Sequence, residues 1–179
     1  SYTGVISVAA TDFNGDRAPY STFGTQVDVA APGGDMSRDA NNDGNPDGVL
    51  SAIVDDSSGT RKATLNFYQG TSMATPHMAG VLALMKAVHP SLSPSDVDAL
   101  LAAGEITNEA GTVGRDDQFG HGSIDALKAV RAAQTLAAGG TPPAAPPLFL
   151  ATPSSVNLGL QSEATITISN QGGLASVDS

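Results

Sequence analysis

The chain contains no cysteine and no tryptophan, and five Phe and three Tyr are its only aromatic residues. Without cysteine there are no disulfides and no thiol chemistry, although the cellular compartment is left open. Basic residues are scarce. Eight Lys and Arg stand against 18 acidic residues, a net charge of -10, which argues against a nucleic-acid partner on electrostatic grounds. Glutamate is scarcer still, with 3 Glu beside 15 Asp. Aspartate in that excess belongs to turns, loops and calcium ligands more than to charged helix faces. No apolar run is long enough to span a bilayer, and neither an initial Met nor a signal peptide precedes Ser1. The 179 residues suffice for one domain with a core and a remainder, and the chain reads as a piece of a longer protein.

What is present centres on Gly70-Thr71-Ser72-Met73-Ala74-Thr75-Pro76-His77-Met78-Ala79-Gly80. A serine hydroxyl between small residues stands where an almost wholly apolar or small segment, 73–88, begins. That segment predicts a helix buried on most sides. Its N-terminus would offer free backbone N–H groups and a positive dipole end to an oxyanion, which a serine nucleophile requires in addition to an external base. Pro76 fits within or just past the first turn. Gly70 permits close approach of backbone or substrate, and Gly80 is expected at a close packing contact.

These eleven residues resemble the serine motif of the subtilisin-like serine proteases, Gly-Thr-Ser-x-Ala-x-Pro-His-x-Ala-Gly. The earlier stretch VISVAATDFNGDRAPYSTFGTQVDVAAPGG, with its Ser-x-x-Gly and Ala-Pro-Gly elements, resembles the segment that precedes this motif in the same family. The resemblance covers roughly residues 3–135 and implies the C-terminal half of the family's α/β fold, a mainly parallel sheet around a buried central helix. It implies Ser72 as nucleophile, with its own N–H as an oxyanion donor and Gly70 and Thr71 at the oxyanion and substrate-binding position. A polypeptide is the implied substrate, no cofactor is needed for catalysis, and secretion by a bacterium is the implied setting.

The family's order is Asp, His, Ser along the chain. Its Asp-Thr-Gly or Asp-Ser-Gly and Gly-His-Gly-Thr-His motifs do not occur here. The chain is therefore expected to carry the nucleophile without its base, to be inactive alone, and to need the N-terminal half of the catalytic domain. His77 lies about 140° round the helix from Ser72 and faces away, a packed or hydrogen-bonded core residue, while His89 lies roughly 20 Å or more along the axis. His121 with Asp116 or Asp117 would complete an α/β-hydrolase order, a reading disfavoured by the Gly-Thr-Ser-Met-Ala motif. A non-catalytic structural or oligomerisation module is the other alternative, with self-association through an exposed sheet edge.

Along the rest of the chain, 4–10 reads as a buried strand, and 20–24 with 26–30 as another short strand that ends in the breaker Ala31-Pro32-Gly33-Gly34. Asp39, Asn41, Asp43, Asn45 and Asp47 place oxygen-bearing side chains at alternate positions, with Gly44 at the sharp turn. This spacing suits a structural calcium loop or a solvated Asp/Asn turn equally. Leu50 stands where an EF-hand would have Glu. Strands are expected at 49–54 and 63–68. Ser93-Pro94-Ser95-Asp96 starts a second helix that Gly104 ends, and residues 105–119 form a polar loop. The Gly-x-Gly at 120–122 opens a last helix with Ile124, Leu127 and Val130 on one face. The catalytic portion is thus expected to end near residue 137. A Pro-rich linker over 138–147 leads to the start of an Ig-like β-sandwich over 148–179, with strands at 148–150, 155–158 and 164–169 and a turn at 170–173.

Overall fold

A computed structural model describes residues 4–141, 149–152 and 167–170. The chain divides into two compact units, Ser1–Pro142 and Pro143–Ser179. In the first unit the four-stranded sheet has the order β1-β2-β6-β5, from β1 (Val8–Thr11), β2 (Val29–Pro32), β5 (Thr107–Asn108) and β6 (Ser123–Ile124). β1 and β2 run parallel with Val8 opposite Val29, β6 joins β2 in parallel at Ala30, and β5 pairs with β6 antiparallel. Both central strands are built from small residues, VAAT and VAAP, and are buried over most of their length. The outer edge of β1 is partly covered by the turn that follows it. Ala18 donates to the Ala10 carbonyl at 2.9 Å, and the Ser21 hydroxyl accepts from Ala10 N–H at 2.9 Å.

β3 (Val49–Asp55) and β4 (Lys62–Tyr68) form a separate antiparallel ribbon that runs into Gly70, where two strands are expected from the sequence. Directly opposed pairs share a face of such a ribbon, so Leu50–Phe67, Ala52–Leu65 and Val54–Ala63 make one side wholly apolar. Leu50, Val54 and Leu65 are more than half exposed on it.

Helix α1 (Thr71–Val88) packs against β1 and β2 through Ala74, Met78, Val81 and Met85, at the i, i+4, i+7, i+11 spacing of one helical face. Burial stabilises each larger side chain by about 1.5–3 kcal/mol. The opposite face is bare. Thr75, Ala79, Gly80, Ala83 and Ala87 are exposed, and Leu84 is 52% exposed, so the expected burial on most sides is not found. The expectation for Gly80 fails with it, since a Cβ there would meet nothing within 4 Å.

α2 (Pro94–Ala102) begins with the expected chemistry. Ser93 Oγ accepts from Asp96 N–H at 3.2 Å, Asp96 returns the bond to Ser93 N–H at 2.8 Å, and Pro94 occupies the first helical position. Gly104, at φ +70°, follows the last turn. α3 (Ala126–Ala137) is capped by Asp125, whose carboxylate accepts from Lys128 N–H at 2.9 Å. Its buried face is Ala129, Ala132 and Ala133, which lets it approach α1 closely. The expected Ile124–Leu127–Val130 face is corrected: Ile124 belongs to β6, and Leu127 is 60% exposed. The main core joins Met78, Met85, Leu92, Leu100, Leu101 and Ile106 with these alanines.

In the second unit β7 (Phe149–Thr152) and β8 (Thr167–Asn170) pair antiparallel. The strand expected at 155–158, most of the 170–173 turn and most of the linker lie outside the described residues. Residues 20–24 form no strand, and the first strand begins at Val8 rather than Gly4.

Several of the Asp residues that tie turns and caps are held below the usual carboxylate pKa. For Asp96 the cause is the Ser93 N–H and hydroxyl. For Asp116 and Asp125 burial pushes upward, but the backbone N–H groups of Phe119, Thr112 and Gln118, and of Lys128, outweigh it. A lowered folded-state pKa contributes stability that is complete above the ordinary Asp value and is lost as pH falls through the folded value. The melting temperature is therefore expected to be level above about pH 5 and to drop steeply below about pH 4. Thermal scans from neutral to acid pH check this, and a flat profile into strong acid would contradict it.

Candidate active site

Ser72 is the second residue of α1 and is exposed. Gly70 precedes the helix at φ 146°, ψ 162°, a backbone region open essentially to glycine alone. From there its carbonyl accepts from Met73 N–H at 2.9 Å and Ala74 N–H at 3.2 Å. Among the described residues the Thr71 and Ser72 N–H groups have no acceptor, as the first turn of a helix dictates. Two free donors at the positive end of an 18-residue helix thus flank the Ser72 hydroxyl. This is what an oxyanion next to Ser72 would need. Thr71 is half-buried, and its carbonyl accepts the Thr75 hydroxyl at 2.9 Å.

The loop is anchored on the ends of β1 and β2. Gly70 N–H reaches both the Gly33 carbonyl and the Tyr20 hydroxyl at 3.0 Å, and that hydroxyl donates to the Gly34 carbonyl at 2.6 Å. Gly33 and Gly34 N–H in turn bond to the Thr11 carbonyl at 2.9 and 3.0 Å. Gln69 accepts from Met36 N–H through its side-chain carbonyl. A Cβ on Gly33 would sit 2.5 Å from that of Ala10 and 2.9 Å from both the Gly70 carbonyl and the Tyr20 hydroxyl, so only glycine fits there. Below this lies a buried acidic pair. Arg38 Nη1 stands 3.7 Å from Asp12, and its Nε stands 3.5 Å from Asp35. The Ser37 hydroxyl and N–H, followed by Arg38, hold Asp35 below its usual pKa. Burial first, then Asp35 and Asp12, push the Tyr20 phenol up, so it stays protonated.

Sequence reasoning missed Tyr20 and the Gly33–Gly34 platform as parts of the site. The available signal was the Ala-Pro-Gly-Gly breaker ending a buried strand, which needs a neighbour at backbone contact distance.

Gly70→Ala is expected to cost roughly 1–3 kcal/mol in backbone strain. The inserted methyl would meet only ordinary contacts of 3.6 Å and more, so the cost is conformational. The strain falls on the loop that sets Ser72. The loss is checked as a lower melting temperature of the variant, and an unchanged one would contradict it.

No hydrogen bond joins Ser72 to a histidine among the described residues. His77 Nδ1 pairs with the Met73 carbonyl at 2.8 Å, the expected hydrogen bond, but the residue is exposed rather than packed in the core. His89 lies beside Ser91 at 3.4 Å. His121 meets Asp28 and Thr107 through its backbone. The Asp116 carboxylate accepts from Thr112, Gln118 and Phe119 N–H, and Asp117 pairs with Arg115 at 3.7 Å, so neither acid orients His121.

The Asp/Asn loop closes on itself. Asp39 accepts from Asp43 and Gly44 N–H, each at 3.0 Å, Asn41 accepts from Asp43 N–H at 3.0 Å, and Asp43 accepts from Asn45 N–H at 2.8 Å. Asp47, buried, accepts from Ala40 N–H at 2.6 Å. Among the described residues no three His, Cys, Asp or Glu side chains converge as metal ligands. In this arrangement the alternating oxygens satisfy the loop's own N–H groups.

Comparison with known proteins adds the context this geometry calls for. The model of the subtilase family matches residues 1–122, which includes the β1–β2 segment, the ribbon and α1 and stops short of α3. An extracellular protease of Xanthomonas campestris is 42% identical over 54% of this chain and 15% of its own length. Alkaline elastase YaB of a Bacillus species is 36% identical over 73% of this chain and 28% of its own. A solved protease from Pseudoalteromonas arctica superposes with TM-score 0.60 and 40% identity, covering 73% of this chain and 36% of that one. Fervidolysin from Fervidobacterium pennivorans, a keratinolytic enzyme related to subtilisin, gives TM-score 0.56 at 26% identity over 72% of this chain and 19% of its own. The chain thus spans well under half the length of each of these relatives. With the family match running unbroken from the first strand through the serine-bearing helix, the chain belongs to the subtilase family.

Proposed function

We propose that the chain is the C-terminal part of the catalytic unit of a secreted bacterial serine endopeptidase, with Ser72 as its nucleophile. The observation that carries this is the exposed Ser72 hydroxyl beside the free Thr71 and Ser72 N–H groups, on a loop only glycine can shape. Ser72 Oγ adds to the scissile carbonyl carbon while a base removes its proton. The carbonyl oxygen takes up the negative charge and is held by the Ser72 N–H. Collapse breaks the C–N bond, the amine leaves with that proton, and water then hydrolyses the acyl ester. None of these steps calls for a cofactor.

The base comes from outside this chain, because its three histidines are engaged elsewhere or lie apart from Ser72. The bare face of α1, with Leu84 52% exposed among small residues, is the surface that the N-terminal part of the catalytic unit would cover. That the relatives are about two to four times longer supports the same reading. Beyond α3 we read residues 138–147 as a linker and 148–179 as the start of a β domain. The name of the Xanthomonas relative supports an extracellular location.

A serine-specific sulfonyl fluoride tests the reading on the full-length protein. Irreversible loss of peptide hydrolysis is expected, with no loss of hydrolysis on chelation by EDTA. Hydrolysis that survives the sulfonyl fluoride would overturn it. In the same experiment, thermal stability unchanged by EDTA is expected for an Asp39–Asp47 loop held by its own hydrogen bonds, and a melting temperature that EDTA lowers in the wild type but not in Asp43→Ala would instead assign a calcium ion to this loop.

A further inference from the structure

We infer that Tyr20 is a positioning residue for the reaction on Ser72, an inference that rests on the serine-nucleophile reading above. Three segments far apart in the chain meet at its hydroxyl. It donates to the Gly34 carbonyl at 2.6 Å and accepts from Gly70 N–H at 3.0 Å, so one oxygen joins the end of β2 to the residue two before Ser72. The ring packs against the buried Ala10–Ala18–Ala31–Ala74 cluster, and Ala74 lies two residues after Ser72. Tyr20 is therefore bonded to the chain just before the nucleophile and packs on the cluster that holds the chain just after it.

The Gly33 carbonyl, at 3.0 Å, is the second acceptor of the Gly70 N–H. Gly70 has no side chain to restrict its peptide planes, so hydrogen bonds on either side help to fix its φ of 146°. Met73 and Ala74 N–H hold its carbonyl side, and Gly33 and Tyr20 share its N–H. The direction of the Ser72 N–H follows from that of the Gly70 loop. A donor aimed at an oxyanion must be preorganised to count in the transition state, so loosening the loop affects kcat more than substrate binding. Ring packing explains an aromatic residue at position 20. Only the bridging hydroxyl requires it to be tyrosine.

The test is Tyr20→Phe in the full-length enzyme, which keeps the ring and removes the hydroxyl. A roughly 3- to 10-fold fall in kcat is expected, with KM unchanged and a melting temperature only a few degrees lower (about 2–8 °C), as loss of one net hydrogen bond predicts. Faster amide hydrogen exchange is expected in the peptide that spans Gly70. Unchanged kcat, or a fall in kcat that disappears when the assay is run well below the variant's melting temperature, would overturn the inference. Tyr20→Leu, which also removes the ring, is expected to lower the melting temperature as well. If both variants lose only stability, the residue is structural. The wild-type enzyme is titrated with a fluorophosphonate in parallel. No adduct on Ser72 defeats the nucleophile reading itself, whereas an adduct with equal kcat for Tyr20→Phe defeats only the role of Tyr20.

Discussion

Ser72→Ala in the full-length enzyme is expected to lower kcat by about a million-fold, the scale of loss when the nucleophile of a serine triad is removed, while KM stays near its original value. The size follows from the role. Without Oγ no acyl-enzyme can form, and only oxyanion stabilisation and substrate positioning survive, which leave roughly 10³–10⁴-fold over water. Ser72 is exposed and makes no hydrogen bond among the described residues, so its loss should leave the fold intact. Alanine is also a better helix former than serine. A melting temperature within the error of the wild type, measured on the same preparation, separates lost chemistry from lost structure. A variant that keeps even a tenth of the activity would remove Ser72 from the mechanism.

The second large effect concerns the chain by itself. Residues 1–179 alone are expected to show no measurable peptide hydrolysis. The missing general base accounts for a loss of about 100- to 10,000-fold, and the missing walls of the substrate site add to it. The three histidines cannot stand in. His77 is tied to its own helix, His89 sits at the far end of α1, and His121 meets its neighbours by backbone bonds. Adding the N-terminal polypeptide of the parent should restore hydrolysis in proportion to complex formation, followed by native mass spectrometry. It would also cover the apolar side of the β3–β4 ribbon or the α1 face, read by protection of either surface from hydrogen exchange.

Much of this architecture was legible from the residues. The ribbon followed from two apolar stretches joined by a polar connection, and the start of α2 followed from Ser93, Pro94 and Asp96, whose reciprocal bonds are local chemistry. Ser72, the proposed nucleophile, stood out because a serine between small residues opens an apolar helix. Burial was harder to read. α1 carries Ala, Gly and Thr on its outer face, residues that pack or face solvent equally well, so periodicity gave no warning of the bare side. The same ambiguity hid the register of α3, where three alanines rather than the larger Leu127 face the core. The Asp39–Asp47 loop showed a spacing that serves a cation or its own N–H groups, and spacing alone does not choose. Tyr20 was invisible for a different reason. Its partners, Gly34 and Gly70, are 14 and 50 residues away and come together only through the parallel pairing of β1 with β2 and the docking of α1.

The measurement that bears most directly on the central claim is mass-spectrometric mapping of a fluorophosphonate adduct, on the full-length protein and on this chain alone under identical conditions. The account predicts a stoichiometric adduct on Ser72 in the full-length protein and none on the isolated chain over the same interval. An adduct on any other residue of the full-length protein, or equal labelling of Ser72 in the isolated chain, would contradict it.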